Sequence, residues 1–268
     1  MTAPPVPVRD AATVMLVRDG DAGLEVFMLR RTLNAAFVGG FYVFPGGAVD
    51  AADRRSEVEA VCDGLSDAQA SEKLGIAAGG LAFWVAAIRE CFEEAGVLLA
   101  RNASGAVVRF DDPETEFRFS EHRAAVHRGD SRLVDLCGVE GLRLVTGDIH
   151  YVSHWITPEG EPRRFDTRFF VARAPEAQTP LHDDHETIAS MWVRPSDALE
   201  RFRAGELQMI PPTIKNLEFL VPHATAGAAL AAAAAIAHPP AIQPRLRLHD
   251  GQVVGVVLPG EPGFDELR

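Results

Sequence analysis

The sequence predicts a mixed α/β domain of the α+β kind, with one amphipathic helix lying on a sheet of short strands. Three observations carry this. Residues 11–18 and 24–31 are runs rich in Val, Leu, Met and Phe, separated by Asp19-Gly20-Asp21-Ala22-Gly23, which is the pattern of a β-hairpin. Residues 81–95 place Leu81, Val85, Ile88 and Phe92 at helical spacing, and Gly96 follows where a helix commonly ends in the left-handed conformation. Residues 142–157 and 164–172 return to strand character around the turn Pro158-Glu159-Gly160-Glu161-Pro162.

Taken in order, residues 1–10 are proline-rich and read as a flexible lead-in. After the hairpin, residues 41–44 supply a short strand into Gly46-Gly47. Residues 51–80 are acidic and alanine-rich, with Ser66 placed to cap a helix through Leu74 and with Gly75, Gly79 and Gly80 as breaks. This stretch reads as a surface lid or packing arm. Residues 107–110 read as a strand, and 116–127 and 131–139 as helices of a second inserted segment. A strand around Trp192 leads to a helix over 196–204. Pro211-Pro212 opens a helix at Thr213 that breaks near Pro222 and resumes in the alanine-rich run 224–237, before a hairpin over 245–248 and 253–258. The expected organisation is therefore a lead-in (1–10), a main domain (11–210) with insertions at about 54–80 and 111–140, and an extension (211–268) packed on the same domain.

A hydrophobic content of 47% is ample for a buried core, and a formal charge of −12 excludes a general nucleic-acid or membrane-surface binder, which needs a concentrated basic surface. Cys62, Cys91 and Cys137 are widely spaced, so neither a disulfide framework nor a zinc site is expected. No apolar run reaches the roughly 18 residues that span a bilayer. These features predict a cytoplasmic protein with a small-molecule partner, no nucleic acid and no membrane; a homodimer is left open.

The chemistry concentrates in the helix over 81–95. Glu90, Glu93 and Glu94 fall at i, i+3 and i+4 and share one face, with Arg89 beside them. Like charges at that spacing cost roughly 0.2–0.5 kcal/mol each. A hard divalent cation, Mg²⁺ or Mn²⁺, would offset the cost, because it takes oxygen ligands and is held by carboxylates together with substrate phosphates. The bare backbone of Gly46 and Gly47 allows a ligand or metal to approach closely. The competing reading is a solvated acidic face with Arg89 paired to Glu93. Neither a Ser-His-Asp order nor a phosphate-binding P-loop is present. Arg30 and Arg31 leave a strand on opposite faces, so at most one reaches a shared site. Arg164, Asp166 and Arg168 share a strand face; the arginines could hold a phosphate, or form a cross-strand ion pair through Asp166.

The segment Arg89-Glu90-Cys91-Phe92-Glu93-Glu94-Ala95-Gly96-Val97 resembles the closing half of the Nudix hydrolase signature, G-x5-E-x7-R-E-U-x-E-E-x-G-U with U apolar. Gly47 takes the place of the first glycine and Asp53 that of the next acid. Asp53 lies 36 positions before Arg89, where the pattern has 8, so the signature is split. That split is similar to one branch, the acyl-coenzyme A diphosphatases, in which an insertion separates the glycine loop from the helix. Val26-Phe27-Met28-Leu29-Arg30-Arg31-Thr32, Gly39-Gly40-Phe41-Tyr42-Val43-Phe44-Pro45-Gly46-Gly47, Trp155-Ile156-Thr157-Pro158 and Arg164-Phe165-Asp166-Thr167-Arg168-Phe169-Phe170 resemble that branch too.

The resemblance implies a Nudix-like α/β/α sandwich with a mixed sheet, decorated by helical insertions and a C-terminal helix and hairpin. It implies Mg²⁺ or Mn²⁺ held by Glu90, Glu93 and Glu94 with Gly47, and Arg89 orienting a glutamate. An acid from His182-Asp183-Asp184-His185-Glu186 would join the metal site or act as base, with Glu186 first and Asp183 and Asp184 as rivals. The implied reaction is hydrolysis of coenzyme A or acyl-coenzyme A to 3′,5′-ADP and 4′-phosphopantetheine, with ADP-ribose or NADH as alternative substrates. Arg30 or Arg31 would face the substrate, and Arg164 and Arg168 the 3′-phosphate. Phe37, Phe41 and Tyr42 would meet the pantetheine or acyl part, or else pack in the core. From another class, Asp53 and the split signature leave room for a non-catalytic nucleotide-binding sensor.

Overall fold

The hairpin that opens the chain sets the middle of the sheet. The computed structural model describes residues 6–33, 39–183, 185–250 and 252–267. Strands β1 (Val8–Gly20) and β2 (Gly23–Arg31) pair antiparallel from Val17↔Val26 to Gly20↔Gly23. β1 begins three residues before the expected strand, at Val8 rather than Ala11, because it pairs in parallel with a strand far along the chain. Short strands β3 (Tyr42–Val43) and β4 (Gly46–Ala48) follow, β4 lying antiparallel to β1 with Ala12↔Gly47 and Thr13↔Gly46.

The first insertion folds as α1 (Glu57–Ala60) and α2 (Asp67–Leu74). Ser66 and Gln69 form a reciprocal capping box at the start of α2, and Gly75 ends it in the left-handed conformation. The central helix α3 (Leu81–Ala95) receives its N-terminal caps from α2, since Asp67 accepts the N–H groups of Gly79 and Leu81 at 2.9 and 3.0 Å. Gly80 touches α2 so closely that a Cβ there would lie 2.3 Å from the Ser71 nitrogen. The insertion is thus a packing arm, with Val58, Cys62, Ala70 and Leu74 in the same core as α3.

Beyond α3 come β5 (Ala100–Arg101), the second insertion α4 (Pro113–His127) and α5 (Leu133–Glu140), and β6 (Arg143–Leu144), which pairs with β5. Residues 107–110 form only an isolated bridge from Val107 to Arg101, on the edge of β5 opposite β6, because the Val108 carbonyl and the Phe110 N–H turn to Gln178 and Ala177. The expected strand over 142–157 is divided by a turn of 3₁₀ helix, Thr146–Asp148, before β7 (His150–Ile156). β8 (Arg164–Arg173), β9 (Thr187–Val193), α6 (Pro195–Arg203), α7 (Pro211–Leu220), α8 (Ala226–Ala234), β10 (Ala241–Ile242), β11 (Arg245–His249) and β12 (Gln252–Val257) complete the chain. The main sheet has the order β10-β7-β8-β1-β2-β3, with β4 on β1 and β9 on β2. It mixes parallel and antiparallel pairs.

Alternation along β1 divides the core into two layers. Ala12, Val14 and Leu16 face α3, where Trp84, Val85, Ile88 and Phe92 pack, each side chain contributing about 1.5–3 kcal/mol by burial. Met15 and Val17 face Leu199, Leu217, Leu220 and Ala229 of α6, α7 and α8. The result is an α/β/α sandwich whose C-terminal helices cover the face opposite α3. Among the described residues, no helix is long and apolar enough to cross a membrane.

Candidate active site

The site forms where β4 passes between β1 and α3. A Cβ at Gly46 would lie 2.4 Å from Thr13 Oγ1 and 2.6 Å from the Ala12 carbonyl, and one at Gly47 would lie 2.4 Å from Glu90 Oε1. Only glycine fits this passage. The contact is used: the Gly46 N–H donates to Glu94 Oε2 at 2.9 Å, tying the glycine loop to the helix.

Arg89 organises the acids around it. Its Nη1 donates to Glu90 Oε1 at 2.8 Å and to Glu93 Oε1 at 3.0 Å, and its Nη2 donates to the Ala48 carbonyl at 2.7 Å. Its other edge meets Asp53, Nε to Oδ1 at 3.1 Å and Nη2 to Oδ2 at 3.0 Å. Asp53 Oδ2 also accepts the Asp50 N–H at 2.9 Å. Asp53, which the sequence placed at the signature's acid position without a role, is therefore the group that holds Arg89. The i, i+4 pair of Arg89 with Glu93 is present too, as one branch of this network.

Burial pushes the carboxyls of Asp53, Glu90, Glu93 and Glu94 upward; Arg89 pulls back on the first three, and the neighbouring Glu90 raises Glu94 further. Burial also works against the charge of Arg89, but Glu90, Asp53 and Glu93 outweigh it and keep the guanidinium protonated. Asp53, Glu90 and Glu93 thus share the Arg89 guanidinium, while Glu94 meets the Gly46 N–H and lies near Arg31. Among the described residues, no three His, Cys, Asp or Glu side chains converge as a formed metal cage, because Glu90 and Glu93 each turn an oxygen to Arg89. The donor set is nonetheless all carboxylate oxygen, and an excess of buried acid beside a Cβ-free backbone suits a hard divalent cation.

The arginines separate into two groups. Arg31 reaches the site, with Nη1 3.9 Å from Glu94 Oε1 and Nη2 3.8 Å from Glu186 Oε2, and its buried Nε has no partner. Arg30 points away, to the Gly40 carbonyl and the Tyr42 ring. Arg164 donates to the Thr157 carbonyl at 3.1 Å, and buried Arg168 is held by Asp166 and His154. Of the two readings of this strand face, the ion pair through Asp166 is present at Arg168, although its buried Nε has no partner, while among the described residues Arg164 engages Thr157 through Nε alone. Tyr42 packs into the second core layer. Phe41 is half-buried and offers its carbonyl to the Arg31 N–H. Phe37 and Asp184 lie outside the described residues.

A family model described as the NUDT19 Nudix domain matches residues 64–220, more than half of the chain. The chain belongs to the Nudix family. Its relatives include the human acyl-coenzyme A diphosphatase NUDT19, 29% identical in an alignment of 224 residues that covers 71% of this chain and 58% of that one. The chicken protein of the same name is 29% identical in an alignment of 253 residues that covers 78% of this chain and 67% of that one. The chain thus spans little more than half the length of the human relative. A solved Nudix hydrolase from Alicyclobacillus acidocaldarius is 30% identical, covers 84% of this chain and 96% of its own, and superposes with a TM-score of 0.71. The α/β/α sandwich is accordingly the Nudix fold, and α3 is its signature helix.

The Nudix helix has further neighbours that the sequence did not mark. From α4, Arg123 Nε donates to the Glu93 carbonyl at 2.9 Å and Nη2 to the Leu181 carbonyl at 3.1 Å. His127 Nδ1 lies 3.8 Å from Glu93 Oε2, and its ring stacks on His185 at 5.8 Å. No spacing signal could have revealed them, since their roles arise only when α4 docks on α3. Asp183 accepts the N–H groups of His185, Glu186 and Thr187. It thereby shapes the loop, and among the described residues of that loop Glu186 is the acid beside Arg31.

Proposed function

We propose that this chain is a metal-dependent Nudix diphosphatase that hydrolyses the pyrophosphate of coenzyme A or acyl-coenzyme A, giving 3′,5′-ADP and (acyl-)4′-phosphopantetheine. The observation that carries the reading is the set of helix acids Glu90, Glu93 and Glu94 joined to the Gly46-Gly47 strand through Arg89 and the Gly46–Glu94 bond. The names of the human and chicken relatives support the substrate class.

Glu90, Glu93 and Glu94 would hold Mg²⁺ or Mn²⁺ beside Gly47. Such a cation neutralises phosphate charge and lowers the pKa of water. Arg89, itself held by Asp53, would orient Glu90 and Glu93 and leave the pyrophosphate to the cation. Gly46 and Gly47 let the pyrophosphate approach the backbone without a Cβ in the way. Arg31 stands between Glu94 and Glu186, where it can take a phosphate oxygen. Glu186, with a side chain 53% exposed at the edge of the site, is placed to accept the proton of the attacking water as the phosphorus–oxygen anhydride bond breaks.

One observation favours the second reading, a dinucleotide lacking the 3′-phosphate such as ADP-ribose or NADH: Arg168 is engaged with Asp166 and His154 rather than free for that phosphate. Mass-spectrometric product analysis of coenzyme A, an acyl-coenzyme A, NADH and ADP-ribose with Mg²⁺ or Mn²⁺ separates the readings. Release of 3′,5′-ADP from the coenzyme A compounds supports the first, and cleavage confined to the others supports the second. Ligand binding without any product would instead indicate the sensor role.

A further inference from the structure

Between the two insertions and the outer side of α3 lies a cavity of about 330 Å³. Its floor is apolar: Val58 and Val61 from the first insertion, Val85 of α3, Val126 and Leu133 from the second insertion, and Leu144 of β6. Its rim carries Asp53, Arg89 and Glu93. The carboxylate network is therefore one wall of this space. On the outer side, Arg132 of the second insertion donates to Glu57 of the first at 2.6 Å, joining the two across the opening.

We propose that this cavity receives the acyl-pantetheine arm of the substrate, which makes the paired insertions the specificity element of the enzyme; the proposal rests on the coenzyme A reading above. A pyrophosphate lying on the α3 acids sends its two halves in different directions, and the half leaving past Glu93 and Arg89 enters here. The volume lies near the lower end of the roughly 300–1,000 Å³ typical of small-molecule sites, so it holds one half rather than a whole coenzyme A. Beside the apolar floor the cavity carries His127, Arg128 and Arg132, whose N–H groups can donate to the amide oxygens of the arm. A slender, largely aliphatic arm suits valine and leucine walls, which gain from apolar burial. The split of the signature thus has a purpose: residues inserted between the glycine loop and the helix build half of the pocket that reads the substrate.

The test is isothermal titration calorimetry of the full chain with 4′-phosphopantetheine and, separately, with 3′,5′-ADP. Wild type is compared with Val134→Trp and Ser131→Phe, two half-buried positions on the cavity lining, with thermal melts confirming that each variant is folded. The expected result is that filling the cavity raises the Kd for 4′-phosphopantetheine at least about tenfold in both variants, while that for 3′,5′-ADP stays within about twofold. Selective loss of 3′,5′-ADP, equal loss of both halves, no loss of either, or failure of the wild type to bind 4′-phosphopantetheine would overturn the assignment. Turnover of coenzyme A by the wild type is measured in parallel. If coenzyme A is cleaved and 4′-phosphopantetheine affinity ignores the substitutions, only the cavity assignment falls; if coenzyme A is not cleaved, the coenzyme A reading falls with it.

Discussion

Replacing Asp53 by Asn isolates the role of the residue that stands where the Nudix signature has its first glutamate. Asp53 is 4% exposed and Arg89 7%, and three contacts of 3.0 to 3.3 Å join them. Burial pushes the Asp53 carboxyl up and Arg89 recovers only part of that, so the pair as a whole adds little stability. Removing one member is different. The amide presents an N–H group to the guanidinium and leaves a buried cation short of one counter-charge, and breaking a buried pair costs about 3–5 kcal/mol. Arg89 keeps Glu90 at 2.8 Å and Glu93 at 3.0 Å, which places the cost at the low end, about 3 kcal/mol. For a chain of this size that is a fall of about 6–12 °C in melting temperature. Because Arg89 also sets the glutamate positions, a displacement of ~1 Å would lower kcat by about 10²-fold. Differential scanning calorimetry and a coenzyme A turnover assay read both. A variant that melts within a degree of wild type, or that keeps full turnover, would refute the role given to Asp53.

Gly47→Ala drives a Cβ to 2.4 Å from Glu90 Oε1; the carboxylate must move, and turnover is expected to fall about 10²-fold with a melting temperature close to wild type, whereas unchanged turnover would contradict the close approach of β4 to α3. Burial and, for Glu94, the charge of Glu90 raise the pKa values of Glu90 and Glu94, so these acids hold protons to higher pH than ordinary carboxyls and must release them to a cation. Mn²⁺ affinity should therefore rise with pH as they ionise, and calorimetric heats should differ between buffers of unlike ionisation enthalpy; buffer-independent heats would count against this. Cys62, Cys91 and Cys137 are all buried, and burial pushes the Cys62 and Cys137 thiols up to about 12. Ellman-type titration at pH 8 should find them slow in the native protein and all three reactive after denaturation; fast native labelling would contradict the described core.

Elements written in local chemistry were legible. The Ser66 cap and Gly75 stop of α2, the apolar stripe and Gly96 stop of α3, and the Asp19–Gly23 turn region each state their structure within a few residues. The parts that depend on distant partners were not. Val8 joins a strand only because Arg164 lies beside it in β8, residues 107–110 stop at a single bridge because Gln178 and Ala177 take their backbone groups, and β10 exists as an added edge on β7. The site follows the same division. Helical spacing put Glu90, Glu93 and Glu94 on one face, and strand alternation correctly allowed only one of Arg30 and Arg31 to reach them. The shared face of Arg164, Asp166 and Arg168 was also readable. Which partner wins was not, since His154 comes from the neighbouring strand and completes the ion pair. Arg123 and His127 carry no motif at all, and their place at Glu93 is a product of helix docking.

The central claim is that the helix acids carry cation-dependent hydrolysis, and Glu93→Gln tests it most directly. The amide keeps the shape of the side chain and an oxygen for Arg89, so the fold should be retained while one anionic ligand is lost. Mg²⁺-dependent release of 3′,5′-ADP from coenzyme A, followed by mass spectrometry, is predicted to fall by about 10²-fold or more. Full Mg²⁺-dependent turnover by the folded variant would contradict the account.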